Sequence, residues 1–290
     1  MISILTGGES AEREVSLASA KTVAGSLERL GIEFSVLDLK NVDWLKRLET
    51  QAPEVALLAI HGSFGEDGGL QGILEGAGIS YTGTTSAVSA LAFDKRRTKD
   101  ALLGSGISLP RERALPMEFF VPVVIKPNAQ GSSVGVSLVK EAAGLNAAVA
   151  AALEFGPDIL VEELVEGREL SCAVTDLYGT VQALPVVEIK PGNAYFDYDS
   201  KYIPGMSQEI CPAEIGEQAT RVVQRLSKEI FGILGIRQYC RIDWILSGDT
   251  PYFLEVNTIP GMTPTSLINK EIAAPGLSFD DFIARLVRSA

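Results

Sequence analysis

Short apolar runs alternate with longer amphipathic stretches over the first third of the chain. Met1–Leu5, Ile32–Leu37 and Val55–Ile60 have the length and composition of buried strands. A helical pattern covers about Arg13 to Leu30 and another follows the third run. Strands that alternate with helices predict a parallel α/β sheet. Ligands bind such sheets in loops at the carboxyl ends of strands, which makes the loops 7–14 and 61–69 candidate binding loops.

The middle of the chain has a different pattern, with apolar runs grouped around turns rich in Gly and Ser. We predict a helix over Ser86–Gly104 and an Ala-rich helix over Glu141–Glu154. Strands are predicted over Val121–Lys126, Val134–Val139 and Ile159–Glu163. These elements indicate a small β-rich unit with flanking helices. The predicted fold class is α/β with mixed α+β character, and its N-terminal domain is parallel α/β.

The last part of the chain begins with predicted strands at about 168–175 and 180–188. Residues 190–212, which mix Gly, Pro and aromatic side chains, are too long for an ordinary connection and are interpreted as a lid. A long amphipathic helix is predicted over Glu214–Leu234, and a terminal helix over Phe279–Val287. The chain is thus divided into three predicted units, residues 1–84, 85–165 and 166–290.

A β-hairpin is predicted between the long helix and the terminal helix. Its strands are Arg241–Leu246 and Tyr252–Asn257, joined by a short polar turn. Alternate residues of a strand share one face. If the turn centres on Asp249, Asp243 therefore lies directly opposite Glu255.

Two carboxylates that face each other across a strand pair repel each other. On the same face, Arg241 is expected opposite Asn257. The two carboxylates, Asp243 and Glu255, and the amide are oxygen ligands of the kind that Mg²⁺ takes together with substrate phosphates. The alternative is a solvated hairpin face with an incidental acidic pair. The rigid turn 260–263 (PGMT) that follows favours a site for phosphoryl chemistry.

Composition and charge narrow the class of protein. Of the 290 residues, 46% are hydrophobic and 21% are charged, which is enough apolar material for two or three domains. The formal charge is −12, from 37 Asp and Glu against 25 Lys and Arg. Without a basic tract, no nucleic-acid partner is expected. An acidic protein that binds a nucleotide must concentrate its cations locally, so individual lysines are informative.

Cysteine usage and the apolar runs predict where the protein is located. Cys172, Cys211 and Cys240 are an odd number and form no C-x-x-C pair, which is typical of reduced cytosolic cysteines. The run Ile2–Leu5 is too short for a signal peptide. No segment reaches the roughly 18 apolar residues of a membrane span. We expect a cytoplasmic protein without a membrane partner.

A small-residue turn follows the predicted strand that ends in Lys126. Backbone N–H groups around Gly131-Ser132-Ser133 are expected to cradle phosphate oxygens, and Lys126 would supply the charge. Neither a Walker A motif nor a Rossmann G-x-G-x-x-G motif occurs. An ordinary hairpin turn is the alternative interpretation.

Three further residues each allow two interpretations. His61, the only histidine, is either structural or catalytic, and no G-x-S-x-G elbow accompanies it as a Ser-His-Asp hydrolase would require. Glu162, at a strand end, suits a backbone hinge for an adenine edge or a solvated terminus. Glu12 suits a binding loop or the first turn of the next helix, where acids are favoured.

Taken in order, eight sequence blocks resemble those of the ATP-grasp superfamily, and within it the D-alanine–D-alanine ligases. The similarity runs nearly end to end. The blocks are GGESAEREVSLAS at 7–19, HGSFGEDGGLQG at 61–72, DK at 94–95, KPNAQGSSVGVS at 126–137, VEELVEGREL at 161–170, YFDYDSKY at 195–202, RIDW at 241–244 and LEVNTIPGMTPTSL at 254–267.

The resemblance implies a three-unit ATP-grasp architecture and a specific reaction. Two D-alanine molecules would be joined to D-alanyl-D-alanine through an acylphosphate, with release of ADP and phosphate, for peptidoglycan synthesis. ATP is the implied co-substrate and Mg²⁺ or Mn²⁺ the implied cofactor. A homodimer is the implied assembly.

The resemblance also implies residues for the nucleotide and the metal. The lysines on the ATP phosphates would be Lys95, Lys126 and Lys201. The adenine hinge and the ribose contact would be Glu162, Leu164, Val165 and Glu169. The metal ligands would be Asp243, Glu255 and Asn257.

A second implied set binds the amino acids and carries the chemistry. The first D-alanine would be held by Glu12, with His61 nearby and a hydroxyl pair linking it to the lid, Ser132 and Tyr202. The oxyanion donors would be Arg241 and the Gly261 N–H. The carboxylate of the second amino acid would be bound by Ser266 and Leu267.

Two positions bear on how closely the chain follows the family pattern. Leu164 stands where some members carry an aromatic residue, which predicts weaker stacking on adenine. Tyr202 is the residue that members making D-alanyl-D-lactate typically replace, so its presence favours the dipeptide. D-lactate or D-serine as the acceptor, and a non-catalytic nucleotide-binding protein, are the alternatives.

Overall fold

The computed structural model describes residues 1–117, 120–192 and 206–290. Within these ranges the strands form three sheets, one parallel and two antiparallel, with helices packed against them. The mixed α/β class predicted from the sequence is confirmed by this architecture. None of the helices in the described ranges is both long and apolar enough to cross a lipid bilayer.

The N-terminal elements alternate between strand and helix as predicted. They are β1 (Ile2–Thr6), α1 (Arg13–Arg29), β2 (Phe34–Asp38), α2 (Trp44–Gln51), β3 (Val55–Ala59) and α3 (Gly69–Ala77). The sheet has the parallel order β2-β1-β3, with Ile4 paired to Val36 and to Leu57. The loops after β1 and β3 therefore lie at the same edge of the sheet, where the sequence predicted a binding site.

The strand β2 begins two residues later than predicted, because the end of α1 uses Ile32. The Ile32 N–H donates to the Leu27 carbonyl at 3.0 Å, and Gly31 has a φ of +66°. This left-handed glycine closes the helix and fixes where the following strand starts.

The middle elements surround a small antiparallel sheet of order β5-β4-β6. They are α4 (Ser86–Phe93), α5 (Lys95–Leu102), β4 (Val123–Pro127), β5 (Ser137–Val139), a 3₁₀ turn (Ala142–Gly144), α6 (Leu145–Leu153) and β6 (Ile159–Glu163). The helix predicted over Glu141–Glu154 thus begins as a 3₁₀ turn and becomes α-helical only from Leu145.

The single helix predicted over Ser86–Gly104 is wrong, because Asp94 divides it into α4 and α5. Asp94 has extended backbone angles (φ −86°, ψ 103°), and its carboxylate accepts the Arg97 N–H at 3.0 Å as the N-cap of α5. Asn128 fixes the same carboxylate with a 2.8 Å hydrogen bond. Lys95 consequently becomes the first residue of α5.

The strand predicted over Val134–Val139 is also shorter than expected, because the turn before it is longer. Ser132 and Ser133 both have positive φ angles, +50° and +58°. The Val136 N–H then donates to the Ser133 carbonyl at 3.3 Å, which keeps the chain in a turn. The strand β5 therefore begins only at Ser137.

The C-terminal elements build a six-stranded antiparallel sheet within the described part of the chain. They are β7 (Arg168–Thr175), β8 (Gln182–Ala183), β9 (Val187–Pro191), β10 (Ser207–Ile210), α7 (Glu217–Leu234), β11 (Tyr239–Ser247), β12 (Thr250–Asn257), α8 (Leu267–Ala273) and α9 (Phe279–Arg288). The order of the sheet is β10-β9-β7-β11-β12, with β8 beside β7.

Three predictions in this region need correction. The strand predicted at 180–188 is two strands, because Pro185 has no N–H to donate and interrupts the ladder. The long helix starts at Glu217 rather than Glu214, since Gly216 has a φ of +81° that no helix accommodates. The predicted lid at 190–212 includes β10 and the end of β9, while residues 193–205 lie outside the described ranges.

Two large clusters of buried side chains hold these elements together. One lies between α7 and the sheet strands β7, β11 and β12, and the Trp244 N–H at its centre donates to Ser227 Oγ at 3.1 Å. The other joins β1, β3 and α1 to the last helix, with Phe282 packed edge-on against Tyr239 at 5.6 Å between ring centroids. The first and last elements of the chain therefore share one core.

Truncating Phe282 tests whether this shared core holds the ends of the chain together. Phe282 is 0% exposed. We expect Phe282→Ala to lower the free energy of unfolding by about 3–5 kcal/mol, because the substitution leaves a cavity in a packed core. Urea unfolding followed by circular dichroism measures it, with the exposed Leu103→Ala as the control. A loss as small as that of the control would contradict the role of this cluster.

Candidate active site

The loop after β1 brings Glu12 to the edge of the parallel sheet. The Glu12 side chain is buried, and its Oε1 accepts a hydrogen bond from the Ser132 hydroxyl. A Cβ on Gly62 would lie 2.8 Å from Glu12 Oε2, and a Cβ on Gly131 would lie 3.0 Å from it. Glycine at these two positions lets two loops close on one carboxylate. The loop after β4 therefore meets the N-terminal sheet at Glu12. The resemblance placed Glu12 and Ser132 at the same substrate, and the structure brings these two side chains together.

His61 connects the loop after β3 to the turn that follows β12. Its Nδ1 lies 3.0 Å from the Ile259 carbonyl oxygen, and its Nε2 lies 2.9 Å from Ser19 Oγ. Because a carbonyl oxygen only accepts, Nδ1 carries the proton and the Ser19 hydroxyl donates to Nε2. Ser19 Oγ in turn accepts the Met262 N–H at 3.1 Å. His61 therefore holds the Gly261 turn from both sides.

The hairpin β11–β12 has the facing residues that the sequence predicted. Asp243 pairs with Glu255, and Arg241 pairs with Asn257. The turn is centred half a residue before Asp249, so a regular ladder would have misaligned these pairs. A β-bulge beside Asp243 shifts the register by one residue and brings the carboxylates opposite each other. The prediction is confirmed, although the turn it assumed is slightly wrong.

Each of the two facing carboxylates is bound by its own cation. Arg241 donates from Nε and Nη2 to both oxygens of Asp243, at 2.9 and 2.8 Å. Lys95 Nζ lies 3.0 Å from Glu255 Oε2 and donates to the Gln130 carbonyl at 2.6 Å. Burial alone would lower the pKa of Arg241, but Asp243 outweighs it and the pKa is raised. The predicted repulsion between Asp243 and Glu255 is thus relieved by neighbouring cations.

The donor atoms on this face are oxygens, which is the type of ligand that Mg²⁺ prefers. Asp243 and Glu255 offer carboxylate oxygens, and Asn257 offers an amide oxygen that here accepts the Ile259 N–H at 2.9 Å. No group of three or more Asp, Glu, His or Cys suited to a metal ion occurs in the described ranges. An ion bound here would therefore need the amide and substrate oxygens as well. The three ligand roles stay predictions.

Glu162 lies between two lysines under the turn after β4. The Glu162 side chain is 3% exposed, Lys126 Nζ lies 2.9 Å from its Oε2, and Lys99 Nζ binds its Oε1. Burial raises the pKa of Glu162, but Lys126 and Lys99 outweigh burial and the net direction is down. Burial and the charge of Lys126 lower the pKa of Lys99 to about 8. The side chain predicted for the adenine hinge thus anchors two lysines.

Two cavities adjoin in the described part of the structure, and each is lined by one of the two predicted sets of binding residues. The first is lined by residues predicted to bind amino acids, namely Glu12, His61, Ser132, Arg241, Gly261, Ser266 and Leu267. The second is lined by residues predicted to bind the nucleotide, namely Lys126, Glu162, Leu164, Val165 and Glu169. Lys95, Gln130 and Glu255 line both cavities. The residues at the junction thus include a lysine and a predicted metal ligand.

The far end of the first cavity is formed by the turn after β12. The Thr263 N–H donates to Ser266 Oγ at 2.9 Å, and the Ser266 N–H donates back to the Thr263 carbonyl at 3.0 Å. A Cβ on Gly261 would lie 3.1 Å from Ser266 Oγ, so glycine allows the two residues to approach closely. Leu267, which is buried, begins α8 directly behind them.

Sequence reasoning did not assign Ser19, Lys99 or Glu66 to the site. Glu66 Oε1 lies 3.6 Å from His61 Nδ1, and burial raises the pKa of Glu66 to about 7. Lys99 follows Lys95 by one helical turn, a spacing that places both on the same face of α5 and could have identified it. Ser19 carries no comparable signal. The predicted residues Lys201 and Tyr202 lie outside the described ranges.

The second cavity lies between two antiparallel sheets. Val124, Lys126 and Leu138 come from the small sheet, and Ile245 and Leu254 come from the large one. A cleft of this kind between two antiparallel sheets, with Lys126 on the small sheet and Glu169 and Glu255 on the large one, is the arrangement of the ATP-grasp class of proteins.

Comparisons with known proteins identify the family within this class. The family described as D-ala D-ala ligase C-terminus matches residues 110–288. The D-alanine–D-alanine ligase of Anaeromyxobacter dehalogenans is 40% identical over 301 aligned positions, which cover 100% of this chain and 96% of that protein. The chain therefore belongs to the D-alanine–D-alanine ligase family.

Solved structures agree with this assignment. The D-alanine–D-alanine ligase of Bacillus anthracis complexed with ATP has a TM-score of 0.83 at 27% identity, covering 99% of this chain and 96% of that one. The VanG D-Ala:D-Ser ligase of Enterococcus faecalis has a TM-score of 0.84 at 28% identity, covering 99% and 98%. The resemblance, the fold class and the ligase activity predicted from the sequence are confirmed. The boundaries of the three units and the roles of single residues stay predictions.

Glu271 on α8 is a buried carboxyl group behind the site. Its Oε1 accepts the Ala173 N–H at 2.6 Å, while its Oε2 has no hydrogen-bond partner in the described structure. Burial raises the pKa of Glu271 from its ordinary 4.5 to about 8. Between these two values the folded chain binds the proton more tightly than the unfolded chain. Stability from this group is therefore lost as the pH rises, and the loss is complete above the raised pKa.

Substituting Glu271 with Gln tests this pH dependence. The variant keeps an acceptor for Ala173 but cannot ionise. We expect the stability of the wild type, relative to the variant, to fall by a few kcal/mol between about pH 5 and about pH 8.5. Urea unfolding at both values measures it, with Glu49→Gln, at an exposed position, as the control. A stability difference that does not change with pH would contradict a neutral buried carboxyl.

Proposed function

We propose that this chain joins two D-alanine molecules to D-alanyl-D-alanine, with conversion of ATP to ADP and phosphate, and so supplies peptidoglycan precursors. The observation that carries the proposal is the junction of the two cavities at Lys95, Gln130 and Glu255. A triphosphate in one cavity and an amino acid in the other would meet at this junction. Positioning of this kind is the main requirement of phosphoryl transfer.

The buried Glu12 carboxylate would bind the ammonium group of the first D-alanine. Ser132 orients that carboxylate through its hydroxyl group, and both residues line the first cavity. A buried, oriented charge binds an ammonium ion more strongly than a solvated one, because less water competes for it. The carboxylate of this D-alanine would then point toward Lys95 and the junction.

The first chemical step would activate that carboxylate. A carboxylate and an amine do not condense spontaneously in water, so the γ-phosphoryl group of ATP would pass to the carboxylate and give an acylphosphate. Lys95 and Lys126 would stabilise the negative charge on the phosphates. Lys201, predicted from the resemblance, would act with them.

A divalent metal ion would act at the same junction. When bound, Mg²⁺ or Mn²⁺ would spread the charge of the transferred group over its ligands. Asp243, Glu255 and Asn257 are the residues that would hold it, on one face of the hairpin. Of these three, Glu255 and Asn257 line the first cavity, and Glu255 lies at the junction. Glu255 would then exchange its contact with Lys95 for one with the metal ion.

The second step would form the peptide bond. The amine of the second D-alanine would attack the acyl carbon, and phosphate would leave. Arg241 and the Gly261 N–H would stabilise the tetrahedral oxyanion, for which one donor typically contributes a factor of about 10²–10³ in rate. Ser266 and Leu267 would bind the second carboxylate. A lid within 190–212 would exclude water that otherwise hydrolyses the acylphosphate.

D-serine is a second candidate acceptor, because a structure named as a D-Ala:D-Ser ligase aligns with this chain at a TM-score of 0.84. D-lactate is a third alternative. Tyr202 favours an amine acceptor by resemblance alone. A cytoplasmic homodimer completes the proposal, also by resemblance alone.

ADP release tests the proposed reaction and its acceptor. We expect release with Mg²⁺, ATP and D-alanine, with one dipeptide formed for each ADP, and none with L-alanine. D-serine and D-lactate are each assayed together with D-alanine. A product that contains D-alanine joined to D-serine or to D-lactate would identify that compound as the acceptor. ATP binding without any amino-acid-dependent release would contradict the enzyme and support a nucleotide-binding protein without turnover.

Glu255→Gln tests the junction itself. We expect loss of ATP turnover, because an amide neither holds a divalent ion as a carboxylate does nor pairs with Lys95. The melting temperature should stay close to that of the wild type, since Glu255 is half-buried at the rim of a cavity. Glu49→Gln, at an exposed position, is the matched control and should keep full turnover. Retained turnover in Glu255→Gln would remove Glu255 from the metal site.

A further inference from the structure

Lys99 belongs to the buried charge cluster of the second cavity, yet it is not among the residues that line either cavity. Its Nζ binds Glu162 Oε1, while Lys126 Nζ binds Glu162 Oε2 from the cavity side. The exposed fractions of the three side chains are 12%, 3% and 9% for Lys99, Glu162 and Lys126. Lys99 therefore lies behind Glu162 and reaches the cavity only through it.

Three different elements bring the cluster together. Lys126 lies on β4 and Glu162 on the adjacent β6, where Glu162 pairs with Val124 two residues before Lys126. Lys99 comes from α5, whose start is fixed by the Asp94 cap. The backbone positions of all three residues are therefore fixed by strands and by a capped helix.

The charges of the cluster decide what Lys126 offers to a ligand. With Lys126 and Glu162 alone, the pair would be neutral, and the carboxylate would offset part of the attraction that the lysine exerts on a phosphate. With Lys99 added, the cluster carries a net charge of +1 (two lysines less one carboxylate). Because the groups are buried, this difference is screened less than at a surface.

We propose that Lys99 is a positioning residue for nucleotide binding, which neutralises Glu162 and so leaves the charge of Lys126 available to a phosphate group. The proposal rests on the proposed function, since it takes the nucleotide to occupy the second cavity. The proposal assigns to Lys99 no contact with the ligand. Lys99 raises the affinity for the nucleotide through the orientation and the charge of Glu162 and Lys126.

Lys99→Met tests the proposal in a measurement that does not depend on turnover. Methionine keeps much of the length of the side chain and removes its charge. We expect the Kd of the β,γ-imido analogue of ATP, measured by calorimetry with Mg²⁺, to rise about tenfold. Arg97→Met is the matched control, because Arg97 is an exposed cation on the same helix. Its Kd should equal that of the wild type, and an unchanged Kd in Lys99→Met would overturn the proposal.

The double variant Lys99→Met with Glu162→Gln separates positioning from direct contact. Once Glu162 is neutral, Lys126 no longer needs the second lysine. We expect Lys99→Met to cost much less affinity in the Glu162→Gln background, relative to Glu162→Gln alone, than in the wild type, a coupling that independent residues do not show. An equal loss from Lys99→Met in both backgrounds would overturn the proposal, since Lys99 would then act independently of Glu162.

The variant Lys99→Arg and the melting temperatures of all variants show whether a change in Kd comes from loss of the fold. Arginine keeps the charge, so its Kd should stay within about twofold of the wild type. If Lys99→Met unfolds, the double variant and Lys99→Arg still decide between the outcomes. A wild type that fails to bind the analogue would contradict the proposed function instead, because every variant is compared with wild-type binding.

Discussion

The site depends on keeping two carboxylates opposite each other on the β11–β12 hairpin. Asp243 and Glu255 would repel if they were alone, and their facing requires a β-bulge that a regular ladder would not contain. Arg241 and Lys95 supply the opposing charge. Since Lys95 comes from α5 and the hairpin from the large sheet, this pairing links the middle elements to the C-terminal sheet. The charge that Glu255 requires is thus supplied by a lysine that lines both cavities.

Backbone geometry at a few positions then determines where the residues that line the cavities lie. Asp94 ends one helix and caps the next. Lys95 is therefore the first residue of a new helix, and its side chain lies at the junction of the two cavities. Ser132 and Ser133 hold left-handed angles, a strain that is found mainly where a loop is fixed by its surroundings. Ser132 is fixed by its bond to the Glu12 carboxylate. The loop after β4 and the loop after β1 are therefore positioned by one shared contact.

The sequence predicted what depends on local pattern and failed where tertiary contacts decide. The parallel sheet follows from the alternation of strand and helix patterns, and it is confirmed. The facing of Asp243 and Glu255 is also confirmed, although it depends on a β-bulge that a period of two residues does not indicate. The break at Asp94 was missed, because it depends on Asn128 from a distant loop. The Ser19–His61 contact was missed for the same reason. Neither contact leaves a mark in the spacing of apolar residues.

The balance of charge in the cleft explains how an acidic chain can bind a polyanion. Its formal charge of −12 opposes a nucleotide at long range, but screening limits that repulsion to about a Debye length at physiological salt. Inside the cleft, the lysines of the described ranges are already bound to carboxylates, as Lys95 is to Glu255 and Lys126 is to Glu162. Affinity therefore depends on which carboxylates a second cation has neutralised. The arrangement of paired charges, rather than the number of lysines, decides where a phosphate group binds.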